Sequence, residues 1–409
     1  MESAGVNRIR VLDMSRVLAG PLCGQLLADM GADVIKIERP GTGDDSRAWG
    51  PPFLTDLHGE PTAESAFYLS CNRGKRSVTV DLGTVAGRDV IRKLAASCDV
   101  LLENYKVGTL KNYGLGYADL SEINPRLVYC SITGFGQTGP YSSRPGYDTI
   151  IQAMGGLMSI TGLPDGVQGA APVRVGIALT DTMTGLYAAI AVQQALLNRV
   201  HTGKGQYIDL SLLDVQVSAL SAVAMNYLVS GNVPTRRGNR LPTVYPSDAF
   251  RCQDGHIMVI IGNDTQFRRF CEATGLDGLQ DDQRFRTNEA RVKHADELCE
   301  LITSRLQTQP LREWLGSLER AQVPCAPIND IAQVFADPQV LARGMLGKLL
   351  HPLAGEVPNI ANPIRFGEET MQADRPPPLL GEHTNEVLHE VLGMPEAEIE
   401  ALRASGALG

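Results

Sequence analysis

Over the first third of the chain, short apolar runs alternate with stretches of helical period. Residues 9–13 (IRVLD) read as a buried strand, residues 21–30 (PLCGQLLADM) as a helix and residues 33–38 (DVIKIE) as a second strand. Together they predict a βαβ unit with parallel strands. The pattern recurs with a strand at 77–82, a helix at 85–97 and strands at 100–102 and 127–132. The predicted fold class is therefore α/β, with a doubly wound parallel sheet whose ligand loops lie at the carboxyl ends of the strands. The first turn reads DMSRVLAGPLCG rather than G-x-G-x-x-G, and no G-x-x-x-x-G-K-[ST] occurs. A dinucleotide or nucleoside-triphosphate site of the usual kind is not expected.

Farther along, one helix is predicted over 212–229, running into the linker SGNVPTRRGNRLPT. A smaller α+β domain follows, with a strand at 256–261 and helices at 265–274, 289–306 and 311–320, ending near VPCAPIND. The remainder is expected to return to the large domain, with Pro376, Pro377 and Pro378 before one last helix at 384–392. The expected division is 1–211 for the first part of the large domain, 212–243 for linker helix and linker, 244–327 for the small domain and 328–409 for the return. No internal repeat is found.

A chain of 409 residues has room for two or more domains. With 43% hydrophobic and 20% charged residues it has the composition of a soluble globular protein, and a net charge of −9 argues against a general binder of nucleic acid or membrane surfaces. The eight cysteines are scattered without a C-x-x-C pair, which predicts reduced thiols in a cytoplasmic setting. No secretion signal, transit peptide or membrane span is expected: the N-terminus lacks a basic segment before an apolar one, and the apolar helices around Leu186 and Val223 are interrupted by Gln or Asn. The seven histidines form no grouping with metal-ligand spacing, so no metal is expected. The basic run NRGKR, residues 72–76, reads as a solvated strand entrance.

The stretch PVRVGIALTDTMTGLYAAIAVQQALL places one acid, Asp181, after an apolar run and at the mouth of an apolar helix. Such a residue can cap the helix. It can also be a covalent nucleophile, and its reference pKa predicts that it is ionised at pH 7 without a neighbouring base. The text around it, GYDTIIQAMGGLMSITG before and HTGKGQYIDLSLLD after, resembles the family III coenzyme A transferases. The resemblance spans nearly the whole chain, from VLDMSRVLAGPLCGQLLADMGADVIKIERPGTGD to RPPPLLGEHTNEVL.

That resemblance implies a Rossmann-like large domain built from both ends of the chain and a homodimer of interlocked subunits. It implies acyl-CoA and carboxylate substrates with no tightly bound cofactor, and Asp181 as the residue that carries first an acyl group and then CoA. For CoA itself it carries over Val17 and Leu18 as backbone contacts, and Arg39, Val80, Asp81, Leu82, Asn104, Tyr105, Lys106, Tyr147 and Asp148. Since coenzyme A is a polyanion and the chain is acidic, cations must be gathered locally. Gly155, Gly156 and Gly162 read either as turn residues or as sites of close backbone approach. Gly83 and Asn112 stand where formyl-CoA transferases have basic residues, and GNRLPTVYPSDAF, residues 238–250, replaces their mobile glycine-rich loop. The replaced loop, with PVRVG and RPPPLLGEHT, points to the succinyl-CoA:glutarate branch, for whose second carboxylate Arg47, Arg174 and Arg240 are candidates. Two alternatives stay open: an acyl-CoA racemase of the same fold, whose partner histidine would stand where this chain has Tyr147, and a non-catalytic CoA-binding protein in which Asp181 is a cap.

Overall fold

The computed structural model describes residues 8–409. The first seven residues, on which the expectation of no secretion signal partly rests, lie outside the described ones. The described residues form two compact units: the first from residues 8–157, 174–230 and 341–409, the second from residues 158–173 and 231–340.

The first unit is built on a six-stranded, wholly parallel sheet. Its strands are β1 (Arg10–Asp13), β2 (Asp33–Glu38), β3 (Lys75–Thr79), β4 (Val100–Glu103), β5 (Val128–Thr133) and β6 (Tyr207–Ser211), in the order β3-β2-β1-β4-β5-β6. Because side chains alternate across a strand, successive residues feed two apolar layers. Leu12, Ile35, Leu101 and Tyr129 enter one layer, with Val90, Ile91 and Leu94 of α2 (Val85–Ala96). Val11, Val34, Val100 and Val128 enter the other, with Cys23 and Leu27 of α1 (Ala19–Asp29) and Ala188 and Val192 of α4 (Leu179–Thr202). The short helix α3 (Asp148–Met154), which precedes α4 in the chain, adds Ile151 to this second layer. The end of the chain closes the first layer through Val387, Leu388, Ile399 and Leu408.

Residues 72–76 are not a solvated strand entrance. Arg73, Lys75 and Arg76 are buried, and β3 begins at Lys75, two residues before the predicted start. Each cation meets a carboxylate inside the unit: Arg73 with Asp29 at 2.6 Å, Lys75 with Asp13 at 2.8 Å and Arg76 with Asp33 at 2.6 Å. Arg76 also reaches Glu386 and Glu390 in the C-terminal segment that covers this sheet edge. Paired and hydrogen-bonded charges tolerate burial that isolated ones do not.

Three helix boundaries also differ from the pattern reading. The helix expected over 212–229 is two helices, Leu212–Ala219 and Ser221–Ser230, bent by 72° where Ser221 takes a left-handed conformation, φ 45°. The helix expected over 289–306 is likewise divided, into Asn288–Lys293 and Ala295–Leu306, by the non-helical His294. The helix at Thr384–Leu392 is not the last, since Glu396–Ala404 follows Gly393, which ends it in the left-handed conformation. Among the described residues no single helix is long and apolar enough to cross a membrane; the bent pair passes such a test only when its halves are joined.

The second unit holds a three-stranded antiparallel sheet, with His256–Ile260 between Ser247–Arg251 and Cys325–Pro327. Its core gathers Phe250, Ile257, Phe267, Phe270, Leu298, Ile302, Trp314 and Leu318. Trp314 and Leu318, one turn apart, are the buried stripe of the helix Leu311–Arg320.

Candidate active site

The strand order reverses between β1 and β4, and in an open parallel sheet the crevice at the carboxyl ends of such a pair is where ligands bind. Asn104, just after β4, reaches the segment leaving β1: its Oδ1 accepts from the Arg16 N–H at 2.8 Å and its Nδ2 donates to the Arg16 carbonyl at 2.7 Å.

A cleft of about 180 Å³ opens at this junction, lined by Val17, Leu18, Asn104, Tyr105, Lys106, Tyr147 and Asp181 among others. A second cleft, of about 330 Å³, runs along the ends of β2 and β3 and takes in Arg39, Val80, Asp81 and Leu82. Arg16, Asp45 and Tyr105 line both. Ten of the residues singled out from the sequence for CoA, together with Asp181, thus fall in or beside two clefts that share a wall. Gly83 lines the second cleft, while Asn112 ends a short helix and lines neither.

Asp181 is the third residue of α4, whose N-cap position is Ala178 with no side-chain cap bond. The capping reading of Asp181 is therefore not realised. Its carboxylate makes no hydrogen bond or ion pair among the described residues, whereas its backbone N–H donates to Asp148 Oδ2 at 3.1 Å. Asp148, buried at the start of α3, is held on its other oxygen by Gln152 Nε2 at 2.6 Å. Gln152 Oε1 in turn accepts from the Val175 N–H at 2.9 Å, fixing the strand of chain that leads into α4.

The expectation of a fully ionised Asp181 is corrected by these surroundings. Burial, and next the charge of Asp148, push its carboxyl up to about 7, against a helix terminus that favours the anion. A value near neutrality divides this group between acid and carboxylate at pH 7.

Several residues of the site were not singled out from the sequence. The Arg16 guanidinium pairs with Asp45 at 3.0 Å and lies 5.2 Å from the centre of the Tyr105 ring. Arg144 stacks 3.9 Å from the centre of the Tyr141 ring on the wall of the first cleft. Gly134 and Gly146 bring two wall segments into contact, for a Cβ on Gly134 would stand 2.5 Å from the Gly146 Cα. The only local signal for that approach is G-F-G followed by P-G in the letters between β5 and α3.

Of the arginines considered for a second carboxylate, Arg47 is ruled out. It is buried, with its guanidinium engaged by Glu38 at 2.7 Å, Glu64 at 2.9 Å, the Tyr68 hydroxyl and the Pro378 carbonyl. Arg240 pairs with Asp248 and Asp296 within the second unit. Arg174 is exposed and, among the described residues, its side chain bonds only to the Val175 carbonyl. Gly155 and Gly156 belong to the first unit, while Gly162 and residues 238–250 belong to the second.

With this geometry in place, comparison with known proteins supplies the family. The model of "CoA-transferase family III" matches residues 6–384. The chain belongs to the family III CoA-transferases. It is an enzyme of that family and transfers coenzyme A between acids. This transferase is 47% identical to the succinate–glutarate CoA-transferase of Agrobacterium fabrum over 94% of its own length and 95% of the relative's. It is 44% identical to the succinyl-CoA:glutarate CoA-transferase of Homo sapiens, over 98% and 89%. Its fold matches the crystal structure of a CAIB/BAIF family protein from Brucella suis, with a TM-score of 0.85 and 46% identity, covering 94% of this chain and 98% of the other.

Proposed function

We propose that the enzyme moves CoA from succinyl-CoA to a dicarboxylate such as glutarate through two kinds of covalent intermediate on Asp181, an acyl anhydride and a CoA thioester. The substrates are those named for its similar relatives. The observation that carries the mechanism is a carboxylate, without a hydrogen-bond or ion-pair partner among the described residues, on the wall of a cleft at the switch point of the sheet.

The Asp181 carboxylate attacks the thioester carbonyl of succinyl-CoA, the carbon–sulfur bond breaks, and a mixed anhydride and free CoA thiolate result. The thiolate then attacks the aspartyl carbonyl of that anhydride, which releases succinate and leaves CoA as a thioester on Asp181. Attack by the acceptor carboxylate re-forms an anhydride and thiolate. Attack of the thiolate on the acceptor's acyl carbon gives the new acyl-CoA and restores Asp181. Every step exchanges one activated acyl group for another, so no ATP or metal is needed to balance it.

The clefts support an assignment for the rest of CoA. The nucleotide end would lie in the larger cleft near Arg39 and residues 80–82, and the pantetheine arm would pass Tyr105 to reach Asp181. Arg39, Lys106 and Arg144 are exposed and have no carboxylate partner among the described residues, which suits a polyanion on an acidic chain. The reading includes a cytoplasmic location, suited to eight cysteines without a C-x-x-C pair, and an interlocked homodimer, for which the exposed Leu186, Tyr187, Ile190, Leu197 and Val200 along α4 offer apolar surface. A racemase reading is disfavoured because Tyr147, not a histidine, stands beside Asp181 on the cleft wall.

The test is incubation of the purified protein with succinyl-CoA and a panel of mono- and dicarboxylates, with new thioesters read by mass. Glutaryl-CoA is expected to form, Asp181→Asn is expected to abolish exchange, and hydroxylamine is expected to label the peptide bearing Asp181 in the wild type. Exchange at wild-type rate in Asp181→Asn would remove the nucleophile assignment.

A further inference from the structure

Val17, on the wall of the smaller cleft, has φ 72°. A β-branched residue in the left-handed region is strained and persists only where its surroundings impose it. Three contacts do so. The Val17 N–H donates to both oxygens of Asp44, at 3.1 and 3.3 Å. Asp44 is itself anchored by Lys36, whose Nζ lies 2.8 Å from Oδ2, both side chains being wholly buried. Asn104 holds the preceding peptide by its two-way bond to Arg16.

Lys36 does more than neutralise Asp44. Its ammonium also donates to the Ser15 carbonyl at 3.0 Å, so one cation fixes the turn on both sides of Arg16. Asp44 Oδ1 further accepts from the Ser46 N–H at 2.9 Å and hydroxyl at 2.8 Å, tying the turn to the segment that carries Asp45. Asp45 and Arg16 form the ion pair at the wall shared by the two clefts.

We propose that the buried Lys36–Asp44 pair is a positioning device for the acyl-CoA, holding residues 16–18 in a strained turn that presents their backbone to the pantetheine arm. This rests on the reading of the two clefts as the CoA site. Lys36 and Asp44 act through Val17 and do not themselves touch the reacting atoms. Burial alone would raise the Asp44 carboxyl, but the Lys36 ammonium and the Ser46 donors bring it down to about 2, so the anion that Val17 needs is present throughout the working pH range.

The test is steady-state kinetics on the full-length enzyme. Asp44→Asn is expected to raise KM for succinyl-CoA about tenfold or more while KM for the acceptor acid and kcat change less than about threefold, the pattern of a lost binding contribution. The decisive readout is coupling. Glycine adopts positive φ without support, so the rise caused by Asp44→Asn should be several-fold smaller in a Val17→Gly background. If Asp44→Asn does not fold because Lys36 is left unpaired, Lys36→Met with Asp44→Asn removes both charges and should give the same rise. An unchanged KM for succinyl-CoA, or a rise equally large with glycine at position 17, overturns the proposal. Absence of CoA transfer in the wild type would instead refute the functional reading on which it rests.

Discussion

At the scale of a single residue, the proposed chemistry turns on the proton of Asp181. Its carboxyl stands near 7 because it is partly buried and faces Asp148, and only the ionised form can attack a thioester. The acid limb of kcat/KM should therefore fall with an apparent pKa near 7, and Asp148→Asn should move that limb to lower pH. A limb that stays in place in Asp148→Asn would count against the charge coupling. The same group makes a stability prediction, with its sign set by linkage. A carboxyl whose pKa is raised on folding carries no penalty below its unfolded value near 3.8, loses stability as pH rises toward 7, and carries the full penalty above. Asp181→Asn lacks that penalty, so its thermal midpoint relative to wild type should be higher at pH 8 than at pH 4. Equal differences at the two pH values would contradict the shift.

At the scale of elements, the parallel sheet is assembled around buried ion pairs as well as apolar side chains. Lys75 on β3 donates to Asp13 on β1, to the Pro21 carbonyl and to Asn72 Oδ1, all within 2.8 Å. Removing the cation alone strands a buried carboxylate, so Lys75→Met should lower the unfolding free energy by about 3–5 kcal/mol. Adding Asp13→Asn should return part of it, and a loss below about 1 kcal/mol in urea titration would show that the pair does not hold the strands. These pairs also mark the limit of what the letters convey. β2 was legible to the residue, as were the helices Leu311–Arg320 and Thr384–Leu392, because each carries its own period and its own stops. β3 was not, because Lys75 and Arg76 read as solvent-facing until partners in distant segments are known. The bend at Ser221 was hidden for a related reason: the apolar letters run on across it, and only the backbone angle breaks the helix.

For the whole molecule, the question is how an acidic chain recruits an acidic ligand. Nine of the residues named through the family resemblance follow four neighbouring strands and line the two clefts, whereas Arg16 and Arg144 were not singled out, because an arginine in a loop has no period to give it away. The structure sets the net charge of −9 against Arg39, Lys106 and Arg144, three exposed cations at the two clefts without carboxylate partners among the described residues. If these supply the attraction, capture of a CoA thioester should weaken with salt. Raising ionic strength from about 0.01 M to about 1 M shortens the Debye length from about 30 Å to about 3 Å, and kcat/KM for succinyl-CoA should fall steeply across that range. Arg144→Ala should lower kcat/KM at low salt and flatten the dependence, while converging on wild type at high salt, because a screened cation and an absent one attract equally little. A variant that stays parallel to wild type at every salt concentration would mean that Arg144 acts through its packing on Tyr141 and not through its charge.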